Sequence, residues 1–424
     1  VNARSLPSRA LPKPRTCPVC RWEEARRLFT QQFEWIREGA LISGYDVVVC
    51  DRCGCGYADG IPGQEAFDAY YRDLSKYERL PGADNEAPED PERFGKVAEV
   101  ILGSLSSRAA RIVEIGCATG GLLARLQEAG CTRLTGLDPS PECARSVRER
   151  YGIEALTGSI ADLPRTGRRF DFAILVGVLE HLRDVDVCLG HIREILDPDG
   201  RILVDVPDVT RFPDFADAPF QEFSIEHINF LSPVSLRNLL AGNGFEILGS
   251  GQDVHPHGDE SHMPNAYCVA RRGSERPGLT FERDRETEPA LRRYIARSVE
   301  LERELARTID AIADAGEPIL VWGVGTLARR LLKTSRLKDA DIRAFVDSNP
   351  RYHGKDINGI PILPPGDVQG RPEAILICSR VFSREIETQI RETLHCSNRL
   401  LRLGGPPKEL QKELWDPPST GRRA

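Results

Sequence analysis

No apolar run in this chain of 424 residues approaches the roughly 18 residues needed to cross a bilayer. No signal-peptide pattern opens it either, so a cytoplasmic protein without a membrane partner is expected. An excess of positive charge is also missing. Lys and Arg number 57 against 64 Asp and Glu, a formal net charge of −7, which argues against strong non-specific binding to nucleic acid or anionic membrane. Nothing in the bulk composition is extreme. Apolar residues make up 40% and charged residues 29%, ordinary values for a globular protein, and the length suggests two or three domains.

Cysteine is not scarce: there are 12, and Cys17, Cys20, Cys50, Cys53 and Cys55 fall in the first stretch of the chain. Cys-x-x-Cys pairs in a reducing compartment favour metal over disulfides. Cys17-Pro18-Val19-Cys20 and Cys50-Asp51-Arg52-Cys53 read as two knuckles whose four thiolates suit tetrahedral, structural zinc, with residues 21–49 as an insertion between them. Cys55 is a spare or alternative ligand. No basic or aromatic platform accompanies the module, which disfavours a nucleic-acid role. The scattered cysteines read as small buried hydrophobes, and the basic, proline-containing residues 1–15 as a loose leader.

Strands and helices then alternate. Strands are expected at Arg111–Ile115, Arg133–Leu137, Phe170–Val176 and Arg201–Val206, with helices at Gly121–Ala129 and Pro141–Tyr151. This is the pattern of right-handed βαβ units in a parallel sheet. Shorter helices are expected at Asp68–Tyr77 and Pro91–Leu105, with a turn-rich acidic loop between them. A second alternation begins at Pro318, with strands at Ile319–Trp322, Ile342–Val346 and Ala374–Cys378 and a helix at Leu327–Thr334. The fold class is therefore α/β. The expected units are a zinc-binding module (1–70), a Rossmann-like sheet domain (71–275), a charged helical linker (276–316) and a second Rossmann-like domain (317–424).

The strongest chemical signal is Val113-Glu114-Ile115-Gly116-Cys117-Ala118-Thr119-Gly120, a strand running into a glycine loop and a helix N-terminus, which attracts anionic groups. It lacks the Gly-x-Gly-x-x-Gly spacing of dinucleotide folds. Asp138 ends the next strand, where a carboxylate can accept hydrogen bonds from both ribose hydroxyls. Gly158-Ser159-Ile160-Ala161-Asp162 and Phe170–Val176 followed by Gly177-Val178-Leu179-Glu180-His181 come next in order. The series resembles the class I S-adenosylmethionine (SAM) methyltransferases over roughly residues 90–275. The resemblance implies SAM bound by Glu114, Gly116, Cys117, Gly120, Asp138, Pro139 and Val176, with Ser159 and Ile160 beside the adenine. It gives Glu180-His181 a structural or SAM-adjacent place.

Beyond the fourth strand, Glu226-His227 lies on a loop that ends at Ser232-Pro233, a helix cap followed by proline at the first helical position. Ligands bind at this carboxyl edge of an open α/β sheet, and histidine suits general-base work. The whole layout resembles the sugar C-methyltransferases, which methylate C3 of nucleotide-linked 4-keto deoxysugars. That resemblance implies a nucleotide-sugar partner, His227 as the base, and Glu226 orienting it or contacting the sugar. It also implies Tyr77 and Ser224 on the substrate side and Gly323 and Gly325 toward the diphosphate. Ser224 stands where that family commonly has tyrosine, and its His-Gly-Gly-Ser stretch is only loosely matched by His257-Gly258-Asp259-Glu260-Ser261. His255, His257 and His262 could supply another base or a solvated loop. In the second glycine turn, Gly323-Val324-Gly325, Arg329 falls near the position of the third glycine, which disfavours NAD. O- or N-methylation of a sugar or natural product remains the alternative chemistry. The residues leave the oligomeric state undetermined.

Overall fold

The structure is a computed structural model that describes residues 14–37, 41–74, 90–257, 261–273 and 281–403. Tyr77, the acidic loop after it, residues 1–13, Gly258–Glu260 and the tail beyond 403 lie outside the described residues. Among the described residues, three sheets form the architecture.

The first sheet contains β1 (Ala25–Gln32), β2 (Gly44–Cys50) and β3 (Gly56–Asp59), all antiparallel. Helices α1 (Gln64–Leu74) and α2 (Asp90–Ser104) follow. The central sheet is formed by β4 (Arg111–Ile115), β5 (Arg133–Asp138), β6 (Glu154–Thr157), β7 (Phe170–Val176) and β8 (Leu196–Pro207). A two-residue strand, β9 (Asn229–Phe230), leaves the central domain to pair antiparallel with β3. The antiparallel β10 (Phe245–Pro256) and β11 (His262–Arg272) complete the central order β10-β11-β8-β7-β4-β5-β6. Its helices are α3 (Gly121–Glu128), α4 (Pro141–Tyr151), α5 (Val185–Ile195) and α6 (Pro233–Gly242). β4 pairs with β5 on one side and with β7 on the other. That reversal is the switch point beside which open α/β sheets bind ligands.

Local sequence explains these elements. β7 reads Phe-Asp-Phe-Ala-Ile-Leu-Val, and its Phe172, Ala173, Ile174 and Leu175 are buried in succession. A parallel strand covered on both faces must be apolar in this continuous way. At α4, Ser140 Oγ accepts from the Cys143 amide, Pro141 occupies the first turn, and Gly152 closes the helix in the left-handed region at φ 64°. α6 begins the same way, with Ser232 Oγ accepting from Ser235 N at 3.0 Å. Such a cap is worth about 1 kcal/mol.

In the charged segment between the sheet domains, residues 281–286 lie outside any helix and Thr287–Ala315 form the long helix α7. The preceding residues instead lock onto the cysteine module. Asp284, 4% exposed, accepts from the hydroxyls of Ser232, Ser235 and Thr287, and its amide donates to Cys53 O at 2.8 Å. A Cβ at Gly54 would lie 2.0 Å from Asp284 O, so only glycine lets the knuckle and linker approach. The last sheet has β12 (Ile319–Trp322), β13 (Ile342–Val346), β14 (Asp356–Ile357), β15 (Ile360–Leu363), β16 (Ala374–Ile377) and β17 (Leu400–Arg402), in the order β14-β15-β13-β12-β16-β17. Helices α8 (Thr326–Thr334) and α9 (Ser383–Thr388) belong to it.

Three expectations shift. The helix expected at Asp68–Tyr77 starts a turn earlier as α1, and residues 281–286 of the linker lie outside its helix. Arg15, assigned above to a loose leader, is buried. Its guanidinium donates to the carbonyls of Ala58, Arg183 and Ile228 and to Asn229 Oδ1. A buried guanidinium is tolerated because its donors find acceptors. Among the described residues, no helix is long and apolar enough to cross a membrane.

Candidate functional site

The glycine loop after β4 is built around Asp138. Ala118 N donates to Asp138 Oδ2 at 2.9 Å and Ser140 N to Oδ1 at 2.8 Å. Gly116 sits at φ 72° and Gly120 at φ 89°, and Ala118 occupies the same left-handed region at φ 44°. An alanine there costs about 1 kcal/mol, and the amide held by Asp138 keeps it in place. Gly116 and Gly120 could not carry a side chain, since a Cβ would meet Val178 Cγ2 and Val147 Cγ2, each at 2.8 Å. Cys117 turns its sulfur onto β5, over Gly136, so that residue offers the loop its backbone.

Glu114 is 5% exposed and its Oε2 has no hydrogen-bond partner. Burial, then the nearby Asp138, pushes its carboxyl up to about 8, while Arg93 pulls the other way. An orphaned buried acceptor beside a glycine loop fits a ligand that brings a cation or donors, as the amino-acid end of SAM does. Arg93, on α2, was not visible as a site residue in the sequence. Its Nη2 reaches Asp205 Oδ1 at 3.5 Å, and the side chain borders Gly177, close enough for its charge to act on Glu114. Ser159 and Ile160 follow β6 at the same edge, half-buried. The Ser159 amide and hydroxyl both donate to Asp162 Oδ2. Pro139 and Val176 are half-buried at the ends of β5 and β7.

Asp138 thus braces the loop through both carboxylate oxygens. Asp138→Ala is expected to weaken SAM affinity about 10- to 100-fold, the value of one or two hydrogen bonds to a charged group. Isothermal titration with S-adenosylhomocysteine checks it, and unchanged affinity would mean the ribose is held elsewhere.

A second group of side chains gathers beyond β7 and β8. His181 and His227 stack edge to face, with ring centroids 4.9 Å apart. His181 Nδ1 lies 3.0 Å from Tyr71 Oη and 3.2 Å from the Glu226 carbonyl, and Nε2 lies 3.9 Å from Glu180 Oε1. Nδ1 therefore faces a hydroxyl and a carbonyl, and Nε2 faces the Glu180 carboxylate. The loop holding His227 is anchored on every side. Ser224 Oγ accepts from the amides of Glu226 and His227, Tyr45 Oη donates to Ser224 O, and Gln31 Nε2 donates to Phe223 O. Ile228 N donates to Glu180 O at 2.8 Å, which ties the Glu-His turn after β7 to the Glu-His of the loop.

The two carboxylates of the loop have separate partners. Glu226 Oε1 accepts from Tyr70 Oη at 3.0 Å. Glu222 is the one beside His227, with Oε2 4.0 Å from Nδ1. The resemblance gave Glu226 the role of orienting His227 or contacting the sugar; the chain turn also brings Glu222 beside the His227 ring. Tyr70, Tyr71 and Glu222 carry no motif and were missed. Glu180, His181 and His227 also each offer a ligand atom within 4.8 Å of the others.

The four knuckle cysteines converge as their spacing implied. Cys17, Cys20, Cys50 and Cys53 are buried with sulfurs within 4.8 Å of one another, Cys17 to Cys53 at 3.5 Å and Cys20 to Cys50 at 3.4 Å. Thiol–thiol contacts pull Cys50 down and push Cys20 and Cys53 up. Four thiolates this close require a cation, and the set fits a closed tetrahedral site.

The C-terminal sheet repeats the first loop's geometry. Val324 N donates to Asp347 Oδ2 at 2.9 Å and Asn349 N to Oδ1 at 2.8 Å. Gly323 has φ 100° and its amide donates to Val346 O at 2.7 Å, as Gly116 N does to Leu137 O at 2.8 Å. A Cβ at Gly325 would meet open space. Arg329, 1% exposed, runs away from this loop to the carbonyls of Glu34 and Ile42.

The profile of a family described as "Methyltransferase domain" matches residues 76–249, and one described as "C2185-like, N-terminal" matches 316–400. The chain is 23% identical to C-methyltransferase NovU of Streptomyces niveus over 381 residues, 86% of each protein. It is 31% identical over 155 residues to a probable S-adenosylmethionine-dependent methyltransferase of Mycolicibacterium smegmatis, 35% of this chain and 58% of that one. Among solved structures, 1,6-didemethyltoxoflavin-N1-methyltransferase of Burkholderia thailandensis superposes with a TM-score of 0.40 at 21% identity, covering 53% of this chain and 98% of that one.

Proposed function

We propose that this chain, a SAM-dependent methyltransferase, methylates a carbon next to a ketone in a nucleotide-linked deoxysugar. The observation that carries the reading is the histidine pair His181–His227, fixed at the carboxyl edge of the SAM-binding sheet on an anchored loop. The likeness to a C-methyltransferase covers 86% of each protein and supports carbon as the acceptor.

Bound SAM supplies an electrophilic methyl group. The protein's part is to make the acceptor nucleophilic. His227 removes a proton from the carbon beside the carbonyl, as a general base does. Glu226, held by Tyr70, positions the loop or the sugar, and Ser224 sets the turn. The repeated Asp347–Val324 geometry supports a nucleotide at Gly323 and Gly325 of the C-terminal domain, the nucleoside-binding arrangement of such loops. The cysteine module would hold zinc in a structural role. The division into 1–70, 71–275, 276–316 and 317–424 belongs to the same reading, with Asn229–Phe230 reaching back into the first unit's sheet.

Mass spectrometry of the enzyme incubated with SAM and a panel of nucleotide 4-keto deoxysugars tests it. The expected product is heavier by one methylene, with the new methyl on carbon by fragmentation. Methylation only of hydroxyl or amine acceptors would replace the carbon reading with O- or N-transfer.

A further inference from the structure

Glu222 is a buried carboxyl that the reaction described so far does not use. It is 9% exposed, in the chain turn that follows Phe220, whose backbone sits in the left-handed region at φ 54°. Its amide donates to Tyr294 Oη at 2.8 Å, which fixes the backbone against α7. Among the described residues, the one basic group within 4.0 Å of the carboxyl is His227. Its charge is felt by Tyr45 from β2 and Tyr294 from α7, both of which also feel Arg330 from α8, and Asp217 upstream acts on it. Arg330 spends its charge elsewhere. It bonds Gln31 and Glu302 and lies over the Phe220 ring at 3.8 Å.

A carboxyl buried without a cationic partner neutralises rather than ionises. Glu222 and His227 could share a proton in two ways, as a neutral pair or as carboxylate and imidazolium. Their 4.0 Å separation is too long for the strong bond that would compensate two buried charges, so the neutral pair is favoured. We propose that Glu222 is a second catalytic residue, a neutral acid that donates a hydrogen bond to the acceptor's carbonyl oxygen while His227 takes the proton from the adjacent carbon. Burial, and then Asp217, push its carboxyl up to about 7, consistent with a neutral acid below that pH.

The step balances. The C–H bond breaks and its proton goes to His227. The C–H electron pair forms the C=C bond, and the carbonyl π pair moves onto oxygen. Glu222 O–H stabilises that oxyanion without giving up its proton, as preorganised donors do. The carbon then takes the methyl group that the enzyme's own activity supplies, the carbonyl re-forms, and His227 releases its proton to solvent. A base and a neutral acid set side by side by unlike environments is a recurrent arrangement for enolate chemistry. The proposal rests on the carbon-acceptor reading above.

Two measurements on the metal-loaded full chain with S-adenosylhomocysteine or SAM bound test it. In protein carrying 13C-carboxyl glutamate, the signal lost in Glu222→Gln should belong to a protonated acid at pH 6 that titrates near 7. A carboxylate already ionised at pH 6 would overturn the proposal and make Glu222 a charge partner of His227. In turnover, Glu222→Gln keeps an N–H donor and should retain about a tenth or more of the activity, while Glu222→Ala should lose about 100- to 1,000-fold, the range for removing an oxyanion donor. The fall in kcat above neutrality should vanish in Glu222→Gln. Equal losses in Gln and Ala variants of unchanged melting temperature would also overturn it. Deuterium uptake at the acceptor carbon of the panel ketones in D₂O without SAM tests the underlying reading separately. No exchange on any acceptor that is methylated would remove the enolate itself, whatever the state of Glu222.

Discussion

His227→Ala should lower turnover about 100- to 10,000-fold, the usual range for losing a general base, and leave SAM affinity close to wild type. The separation follows from the geometry. SAM is assigned to the loop between β4 and α3, to Asp138 and to the orphaned Glu114, while His227 sits on a different segment, after β8 and beside His181. The substitution removes the ring and its contacts with His181 and Glu222 but leaves the loop's backbone supports in place. The bonds from the His227 amide to Ser224, from Tyr45 to Ser224 O and from Gln31 to Phe223 O all use groups that alanine keeps or does not touch. A fall in kcat without a matching change in SAM binding therefore reports lost chemistry rather than a collapsed loop. Deuterium exchange at the acceptor carbon should disappear in step with turnover. If turnover stays near normal, His227 has no part in proton removal, and His181, packed against the His227 ring, becomes the base to test.

Much of this arrangement was legible in the sequence because it is written locally. The knuckles are set by Cys-x-x-Cys spacing, and the strand at Phe170–Val176 by an unbroken apolar run. The helix at Pro141–Tyr151 is marked at both ends by Ser140, Pro141 and Gly152. The glycine loop was read correctly as a turn, and its spacing already excluded a dinucleotide pattern. What could not be read is the pairing of distant groups. Tyr71 meets His181 across 110 positions and Tyr70 meets Glu226 across 156, and no periodicity encodes such contacts. Nor does the sequence show that Glu222, five positions before His227, comes beside its ring. Phe220 adopts a positive φ between the packed rings of Phe29 and Phe223 and the Arg330 guanidinium, and that bend delivers Glu222. Arg15 was hidden for a similar reason. A basic residue in a proline-containing start reads as solvated until the carbonyls of three separate segments converge on it.

Stripping the metal from the cysteine module should abolish methyl transfer while SAM binding largely survives. A structural zinc site of this type contributes about 10–16 kcal/mol of apparent binding free energy to folding, more than a typical domain's whole stability. Without it the two knuckles lose the tie between residues 17–20 and 50–53. The damage would spread along two routes. β2 and β3 continue into β9, which pairs through Tyr57–Asn229 and Gly56–Phe230 directly after His227, so the base loses its anchor. Gly54 and Cys53 also clamp Asp284, which holds the Ser232 cap of α6 and the start of α7. The SAM loop on β4 and β5 shares neither route. Protein chelated to less than one metal per chain should therefore lose turnover by about 100-fold or more, and added zinc should restore it. Cys50→Ser should behave like the chelated protein and resist rescue. Full activity in metal-free protein would reduce the four cysteines to buried thiols and separate the module from the reaction.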